Sequence, residues 1–293
     1  MVRTSKFILF ILSLLFLMPM YSRNKLPLGH FLTVDASLGY STILENYQDL
    51  ETGGTIGGFF GINYELRKKS FLFTTGIEGQ MLTANSLFKM DNFEVPIYDT
   101  QGKLATMHYQ IGTIDERTQL FYASIPIMFG YHGYGFYIGG GAKIGFPLVP
   151  IVKSQYTYTT SATYTEYIED FVNMNNHHYG TYDRLSNYKM KVPIKYSVVM
   201  EIGYNVLDRS NKYIADPRHG LRISAVCEYG LNNLGSTPTD GTLYEINPTN
   251  ATELTILPYY MSHSTQGQHI NHFYAGLKIT WAFRSSKGDC KCD

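Results

Sequence analysis

The sequence predicts an all-β protein: an eight-stranded antiparallel, up-and-down transmembrane β-barrel with short turns at one end and long loops at the other. Three observations predict this fold class. Eight segments alternate apolar with polar or small residues, the links between them alternate between shorter and longer, and aromatic residues lie near the segment ends. Alternation with a period of two is the pattern of a strand whose two faces meet different environments.

The composition favours strands and gives no reason to expect nucleic acid as a partner. The 293 residues include 25 Tyr, 17 Phe and 27 Gly, but only 1 Trp. Aromatic residues suit strands. Lys and Arg together number 24, as do Asp and Glu, so the formal net charge is zero. A neutral chain lacks the excess of basic residues that typifies nucleic-acid binding.

The N-terminal residues are typical of a secretory signal. Arg3 and Lys6 precede an uncharged apolar run from Phe7 to Met20. This run is shorter than the roughly 20 residues of a membrane-spanning helix. We therefore expect a cleaved signal peptide over residues 1–22, ending at Ser22, with an uncleaved anchor as the alternative. A short N-terminal segment (23–29), a barrel (30–284) and a periplasmic C-terminal tail (285–293) complete the predicted organisation.

The eight alternating segments each contain a few exceptions. Pro126 lies inside the fourth, where it must cost a ladder hydrogen bond or mark a bulge. The segments are Phe31–Leu44, Thr55–Leu66, Phe71–Met81, Leu120–Tyr131, Phe136–Gly145, Ile194–Asn205, Leu221–Asn232 and Phe273–Phe283.

The links and the aromatic residues distinguish a membrane barrel from a secreted β-sandwich. Links at 67–70, 132–135 and 207–220 are the shorter ones, whereas the last three links at the other end run to about 30–40 residues, which is unusual in a compact domain. Short turns at one end and long loops at the other are typical of outer-membrane barrels. Such barrels also carry aromatic girdles, for which the candidates are Tyr40, Tyr64, Phe71, Tyr131, Phe136, Trp281 and Phe283.

Three stretches carry a family resemblance: "SIPIMFGY" at 124–131, "YIGGGAKIGFPL" at 137–148 and "FYAGLKITWAF" at 273–283. They resemble the porin-like, PorT-like family of small outer-membrane β-barrels of Gram-negative bacteria. The last stretch is similar to the assembly signal of a final strand, which implies the barrel-assembly machinery as a partner. The tail "SSKGDCKCD" departs from the pattern, since many such barrels end on the aromatic residue. The family implies a fold and a location but no single activity.

Charged residues recur on the face that alternates with the apolar one, often close to a glycine. An eight-stranded barrel has an interior barely wide enough for side chains. We therefore expect four acids and four bases to pair inside and to plug the lumen, with neighbouring glycines making room. The alternative is a narrow polar path for ions or a small solute. The predicted lumen residues are Asp35, Glu78, Glu201 and Glu228 together with Lys143, Lys195, Arg222 and Lys278.

Other residues offer weaker candidates for chemistry, and we predict no catalytic, cofactor or metal site. Two histidine groups fall in the predicted outer loops, where a metal is conceivable but the spacing is loose. The nearest approach to a hydrolytic triad is His263 beside Ser264, with Glu253 as the acid, but nothing in the sequence brings these three together. The histidine groups are His177 and His178, near Glu166, Glu169 and Asp170, and His263, His269 and His272.

The remaining features concern cysteine and the outer loops. Cys227 falls on the lipid face, and for Cys290 and Cys292 in the tail we predict no chemical role. The Tyr/Thr alternation of "SQYTYTTSATYTEY" at 154–167 predicts strands that extend above the membrane. Tyrosine-rich surfaces suit recognition. The sequence thus predicts a non-enzymatic outer-membrane protein, in contact with outer-membrane lipid, whose loops bind an unidentified extracellular ligand. A channel or a rim-sited hydrolase are the alternatives.

Overall fold

The computed structural model describes residues 29–44, 50–68, 70–98, 103–133, 135–164, 170–172, 179–189, 191–206, 219–234, 244–247, 250–258 and 270–284. Over these residues the regular structure is entirely β, and no helix there is long and apolar enough to cross a membrane. The predicted signal peptide, the N-terminal segment up to residue 28 and the C-terminal tail lie outside the described residues.

The described residues form thirteen strands. They are β1 (Gly29–Leu44), β2 (Leu50–Lys68), β3 (Phe71–Lys89), β4 (Phe93–Tyr98), β5 (Leu104–Gly133), β6 (Phe136–Tyr164), β7 (Asp170–Val172), β8 (Thr181–Lys189), β9 (Lys195–Asn205), β10 (His219–Gly230), β11 (Tyr244–Asn247), β12 (Asn250–Ile256) and β13 (Asn271–Arg284).

Eight of these strands close into an antiparallel ring. The order is β1-β2-β3-β5-β6-β9-β10-β13, and β13 pairs back with β1 from Arg284 opposite Phe31 to Asn271 opposite Leu44. Each ring strand contains most of one of the eight alternating segments, so the predicted fold class is confirmed. The end with the links at 69–70 and 134–135 is called the turn end, and the opposite end the loop end.

Pro126 costs ladder contacts and produces no bulge. In the β3–β5 ladder the register passes from Thr75 opposite Ile127 to Glu78 opposite Ser124, and the intervening positions are unpaired. The same offset holds on both sides of this gap. Between β5 and β6 the pairing continues through Pro126 opposite Lys143. Proline lacks the N–H that a ladder on one side needs, which explains why only one ladder is interrupted.

The barrel is apolar outside and polar inside, which inverts the usual order of a soluble protein. Outward side chains such as Leu38 and Ile77 are 66% and 68% exposed, whereas the inward carboxylates of Asp35 and Glu228 are fully buried. Cys227 is exposed on the apolar face. A broad apolar exterior around a polar interior is the arrangement of a barrel that sits in lipid.

Above the ring, the described parts of the long links at the loop end are mostly strand. β5 and β6 contain 30 and 29 residues and stay paired up to Ala105 opposite Tyr164. β4 adds to the upper part of β5, while β7 and β8 add to the upper part of β6. The β11–β12 hairpin contributes to the same core, which we call the outer core: Phe88, Met107, Tyr109, Ile114, Tyr156, Tyr158, Ala162, Tyr179, Leu254 and Ile256. We call this whole assembly the outer module.

Adjacent glycines on β6 face opposite sides of the wall and provide a matched test. A Cβ at Gly139 would overlap the Tyr137 ring inside the barrel, whereas a Cβ at Gly140 would meet nothing nearer than 3.6 Å on the outside. We expect Gly139→Val to lower the free energy of unfolding by about 1–3 kcal/mol, because the interior would be overpacked. Gly140→Val is the control and should change it little. Urea unfolding in lipid vesicles measures both, and equal effects would contradict the assigned faces.

Candidate functional site

Three groups of charged side chains fill the lumen from the turn end upward. The group nearest the turn end centres on Glu65, whose Oε2 accepts hydrogen bonds of 3.1 Å from both terminal nitrogens of Arg222. Its Oε1 accepts a hydrogen bond of 2.5 Å from Nε of Arg67. The two guanidinium groups lie over aromatic faces, Arg222 at 4.1 Å from the Tyr137 centroid and Arg67 at 4.2 Å from the Phe31 centroid. Both cations therefore have an acid and a ring as partners.

The second group joins β1, β9 and β13. Lys278 Nζ lies 3.2 Å from Asp35 Oδ2 and 3.2 Å from Glu201 Oε2. Asn63 donates a 2.6 Å hydrogen bond to Asp35, and Ser224 donates one of 2.5 Å to Glu201. Each carboxylate thus has one charged and one neutral donor, which is how a buried charge is best compensated.

The third group centres on Glu228. Its Oε1 lies 2.6 Å from Lys195 Nζ and 3.1 Å from His272 Nε2, and its Oε2 lies 3.4 Å from Lys143 Nζ. Lys143 is shared, because its Nζ also lies 2.6 Å from Glu78 Oε2. All five side chains are at most 2% exposed. One carboxylate therefore contacts lysines from β9 and β6 and the His272 ring from β13.

Neutral side chains complete the third group, and one ring joins it to the second. Gln80 donates a 2.9 Å hydrogen bond to Glu228 and accepts one from Lys195, while Ser197 donates one of 2.9 Å to Glu228. The Phe59 ring lies 4.0 Å from Lys143 Nζ and 5.8 Å from Lys278 Nζ, so it contacts the second and third groups.

The structure places all eight sequence-predicted lumen side chains in the interior, at most 5% exposed, and brings them into these three groups. It adds three residues that the sequence analysis did not select. Glu65 and Arg67 share the inward parity of Asn63 and could have been found by that signal. His272 is the third, and its predicted place in an outer loop is wrong, because His272 lies in β13 against Glu228. These three groups together contain five carboxylates, five Lys or Arg side chains and His272.

Little empty space remains among these side chains. A cavity bordered by Phe59, Glu78, Lys143, Glu201 and Arg222 has a volume of about 10 Å³. This is close to the minimum space for one water molecule. An apolar cluster is buried in the same interior, and it includes Phe59, Leu82, Leu120, Tyr122, Val199 and Val226. Three of these residues, Phe59, Val199 and Val226, also border the cavity.

Glycines make room for the long charged side chains. A Cβ at Gly61 would lie 2.5 Å from the Cγ of Glu78, and one at Gly145 would lie 2.8 Å from the Cε of Lys195. Both distances are too short for a real contact, so any larger residue would displace the charged side chain. This accounts for the pattern of carboxylates and glycines that the sequence shows along the inward faces.

The outer core is held by stacked rings and tyrosine hydroxyls. The Phe93 ring stacks on Tyr109 and Tyr244, with centroids 4.8 and 4.0 Å away. The Tyr156 hydroxyl donates to the Leu254 carbonyl at 3.2 Å, and Tyr188 donates to the carbonyl of Ile256 at 2.8 Å.

Burial raises the pKa of Tyr188 to about 12, and burial is also the main cause that raises the pKa of Tyr109. Both phenols therefore stay protonated at neutral pH. The Tyr188 hydroxyl consequently remains a hydrogen-bond donor to β12.

The outer module also contains a hydrogen-bonded chain of three polar side chains that was not predicted from the sequence. His108 lies between Glu94 Oε1, 2.9 Å from its Nδ1, and Thr163 Oγ1, 2.8 Å from its Nε2. The three residues lie on neighbouring strands, and the Glu94 side chain is 66% exposed. An acid, a base and a hydroxyl in this order resemble a catalytic relay. Their open position on a sheet face, with backbone amides engaged in ladders, fits cross-strand stabilisation better.

Most of the other sequence candidates lie outside the described residues: His177, His178, Glu166, Glu169, His263, His269, Ser264, Cys290 and Cys292. Asp170 lies in β7, and Glu253 in β12 accepts a 2.8 Å hydrogen bond from Asn247. In the described part of the chain, no group of three or more His, Cys, Asp or Glu side chains is arranged to hold a metal ion.

The class that the fold and the lumen define is a small β-barrel of the outer-membrane type. No protein-family model matches the chain, and no curated protein matches it in sequence. The narrower assignment to the PorT-like family therefore stays a prediction.

Solved structures show weak similarity. Ail, the attachment invasion locus protein of Yersinia pestis, solved with a heparin analogue, is 9% identical with a TM-score of 0.31 over 86% of this chain and 99% of that one. Neisserial surface protein A is 9% identical with a TM-score of 0.30 over 86% and 96%. The Pseudomonas putida toluene transporter TodX is 8% identical with a TM-score of 0.17 over 89% and 92%. Similarity this low carries no argument about function, and the fold is established by the closed ring of strand pairings.

Substitution of Glu228 tests the third group. Glu228→Leu leaves Lys195 and one contact of Lys143 without a carboxylate, so we expect a loss of about 3–5 kcal/mol in the free energy of unfolding. The double variant Lys195→Met/Glu228→Leu should recover most of this loss, because Lys143 keeps Glu78. Urea titration in vesicles gives both values. No loss in the single variant, or no recovery in the double, would contradict the pairing.

Proposed function

We propose that this protein is a non-enzymatic outer-membrane β-barrel of Gram-negative bacteria whose lumen is plugged by the charge network and whose outer module binds a ligand at the cell surface. The single observation that carries the proposal is the filled lumen. Five carboxylates, five Lys or Arg side chains, His272 and a buried apolar cluster occupy the interior, beside a cavity of about 10 Å³. The eight predicted lumen residues then have a structural role.

The apolar exterior supports the location in a membrane. Large apolar side chains are exposed on all eight ring strands, among them Leu38, Ile62, Phe71, Ile127, Phe146, Met200, Ile223 and Leu277. In water this surface would be far larger than the apolar patches of a soluble monomer. In lipid it is the expected lining, and the bilayer becomes the first partner of the protein. Strand β13, with Trp281 and Phe283 near its end, is the part that the barrel-assembly machinery would recognise.

The filled lumen favours an anchor over a channel. A pore selective for one sign of charge usually has a ring of like charges, whereas acids and bases are mixed at every level of this lumen. A rim-sited hydrolase has no support from the described residues, since the relay of Glu94, His108 and Thr163 is on an open sheet face. The proposed activity is therefore binding.

The outer module supplies the surface for that binding. Its core is separate from the lumen, and its strands hold tyrosines and exposed polar residues in fixed positions. Binding residues are often carried on segments that a rigid scaffold positions. The unidentified extracellular ligand would contact this module, and the barrel would serve as its anchor.

Solute flux tests the plugged lumen. Purified, heat-modifiable protein in liposomes should give no swelling above empty liposomes with a graded series of small sugars, because the lumen has no room for them. A general porin in parallel liposomes is the positive control. Flux with a sharp size limit would contradict the plug and would make Glu78, Lys143, Glu201 and Glu228 pore-lining residues.

A buried leucine tests the outer module. Leu254 is 2% exposed in the outer core, whereas Leu185 on β8 is 67% exposed. Leu254→Asp should make residues above the membrane sensitive to protease in proteoliposomes, because an unpaired carboxylate would be buried. The barrel itself should remain heat-modifiable. Leu185→Asp is the control and should be cleaved no faster than the wild type. Equal cleavage of the two variants would show that the outer strands do not share a packed core.

A further inference from the structure

The exposed apolar side chains of the eight ring strands form a band around the barrel, which we call the apolar belt. Two basic side chains face each other on the outer surface just above this belt. Arg117 on β5 lies directly opposite Lys153 on β6, and Lys153 lies opposite Asn187 on β8. Both cations are exposed. Directly opposite side chains have Cβ atoms about 4.5–5.5 Å apart, and like charges in such pairs are destabilising. An anion between them would turn this repulsion into attraction.

A third cation extends the same surface. Lys189 is exposed and lies opposite Ile151, two residues from the Lys153 position on the same outward face. In the described part of the chain, no salt bridge involves Arg117, Lys153 or Lys189. We call these three residues the basic row.

The acids of this face are farther from the belt. Asp115, opposite Gln155, is two residues above Arg117. Asp183 is opposite Thr157 and accepts a 2.6 Å hydrogen bond from it. Positive charge is thus concentrated at the level nearest the apolar surface.

An apolar groove lies directly below the basic row. It has a volume of about 440 Å³ and is bordered by Leu38, Phe60, Met81, Phe121 and Leu148. Gly58 and Gly79 also line it and leave its floor without side chains. Its volume is in the range of about 300–1,000 Å³ that is usual for ligand sites.

The groove and the basic row are continuous along β5. Arg117 is four residues from Phe121, about 13 Å along a strand at roughly 3.3 Å per residue. Strands of such barrels tilt by about 35–45°, so the vertical separation is about 10 Å. The headgroup region adds roughly 5–8 Å on each side of the hydrocarbon core, so a side chain about 10 Å above an acyl-contacting residue can reach the headgroups.

We infer that the groove and the basic row form one binding site for an anionic lipid of the outer leaflet, with a phosphate on Arg117 and Lys153 and an acyl chain in the groove. Arg and Lys are the usual partners of phosphate, and Arg can bind it through two hydrogen bonds. An anionic lipid has both groups that this surface could bind: a phosphate for the basic row and an acyl chain for the apolar groove. The inference rests on the proposed membrane location, but not on the ligand of the outer module.

The test is native mass spectrometry of the full-length protein with dipalmitoyl phosphatidic acid, and with dipalmitoyl phosphatidylcholine as the neutral headgroup. We expect preferential retention of phosphatidic acid. Arg117→Gln/Lys153→Gln should weaken its binding about tenfold or more, because the charged hydrogen bonds to the phosphate would be lost. Lys89→Gln, an exposed cation higher on β3, is the control.

A second pair of variants tests the acyl chain. A Cβ at Gly79 would have no neighbour nearer than 3.9 Å, so Gly79→Leu can fill the groove without disturbing the wall. This variant should weaken the binding of phosphatidic acid several-fold. Gly140→Leu, also outward and open but outside the groove, should have no effect.

Several outcomes would overturn the inference. These are equal retention of the neutral lipid, equal behaviour of the charge variant and Lys89→Gln, or complete displacement of phosphatidic acid by inorganic phosphate with no effect of Gly79→Leu. The last result would indicate a free-anion site. Flotation with liposomes separates the two proposals. Protein that does not enter bilayers would contradict the membrane location, whereas protein that enters them without lipid preference would contradict only this site.

Discussion

The narrow interior of an eight-stranded ring is the constraint on which the rest of the structure depends. Side chains from opposite walls meet across it, so an inward charge contacts protein and not bulk water. Glu228 illustrates the result, with Lys195, Lys143 and His272 within 3.4 Å. Such a pair adds little net stability, but loss of one partner leaves an uncompensated charge. The charged side chains of the interior therefore depend on one another for stability.

The same constraint separates the roles of the two parts of the molecule. Side chains fill the described lumen around a cavity of about 10 Å³, and the exterior of the ring is apolar. The rest of the described chain lies above the ring. There β5 and β6 continue and pack with other strands around the outer core. In the described residues, the ring strands below and the packed strands above hold the outer surface in place. This is a suitable arrangement for an anchor that displays a binding surface.

The junction between the two parts has its own chemistry. Along β5 and β6 the outward face changes from apolar at Phe121 to basic at Arg117 and Lys153, and then to acidic at Asp115. This order matches the order of environments that a strand meets as it leaves a bilayer, from acyl chains to phosphates to water. On this face, the exposed charge therefore changes with distance from the apolar surface, first positive and then negative.

The sequence by itself determined the number of ring strands, the face on which each residue lies and the set of eight inward charges. It could do so because side chains on a strand alternate with a period of two, so that the face of a residue depends only on its near neighbours. Glu65 and Arg67 lie on the inward face by the same alternation, although the sequence did not single them out as part of the charge network.

Only the tertiary structure decided which charges pair, because the partners are set by register across the ring. Gln80 and Glu228 are 148 residues apart, and Arg222 and Glu65 are 157 apart. Local alternation contains no information on such offsets. His272 was assigned to a loop for the same reason, since its partner Glu228 is on another strand. The outer core, too, depends on contacts between β11–β12 and β6 that only closure of the ring brings together.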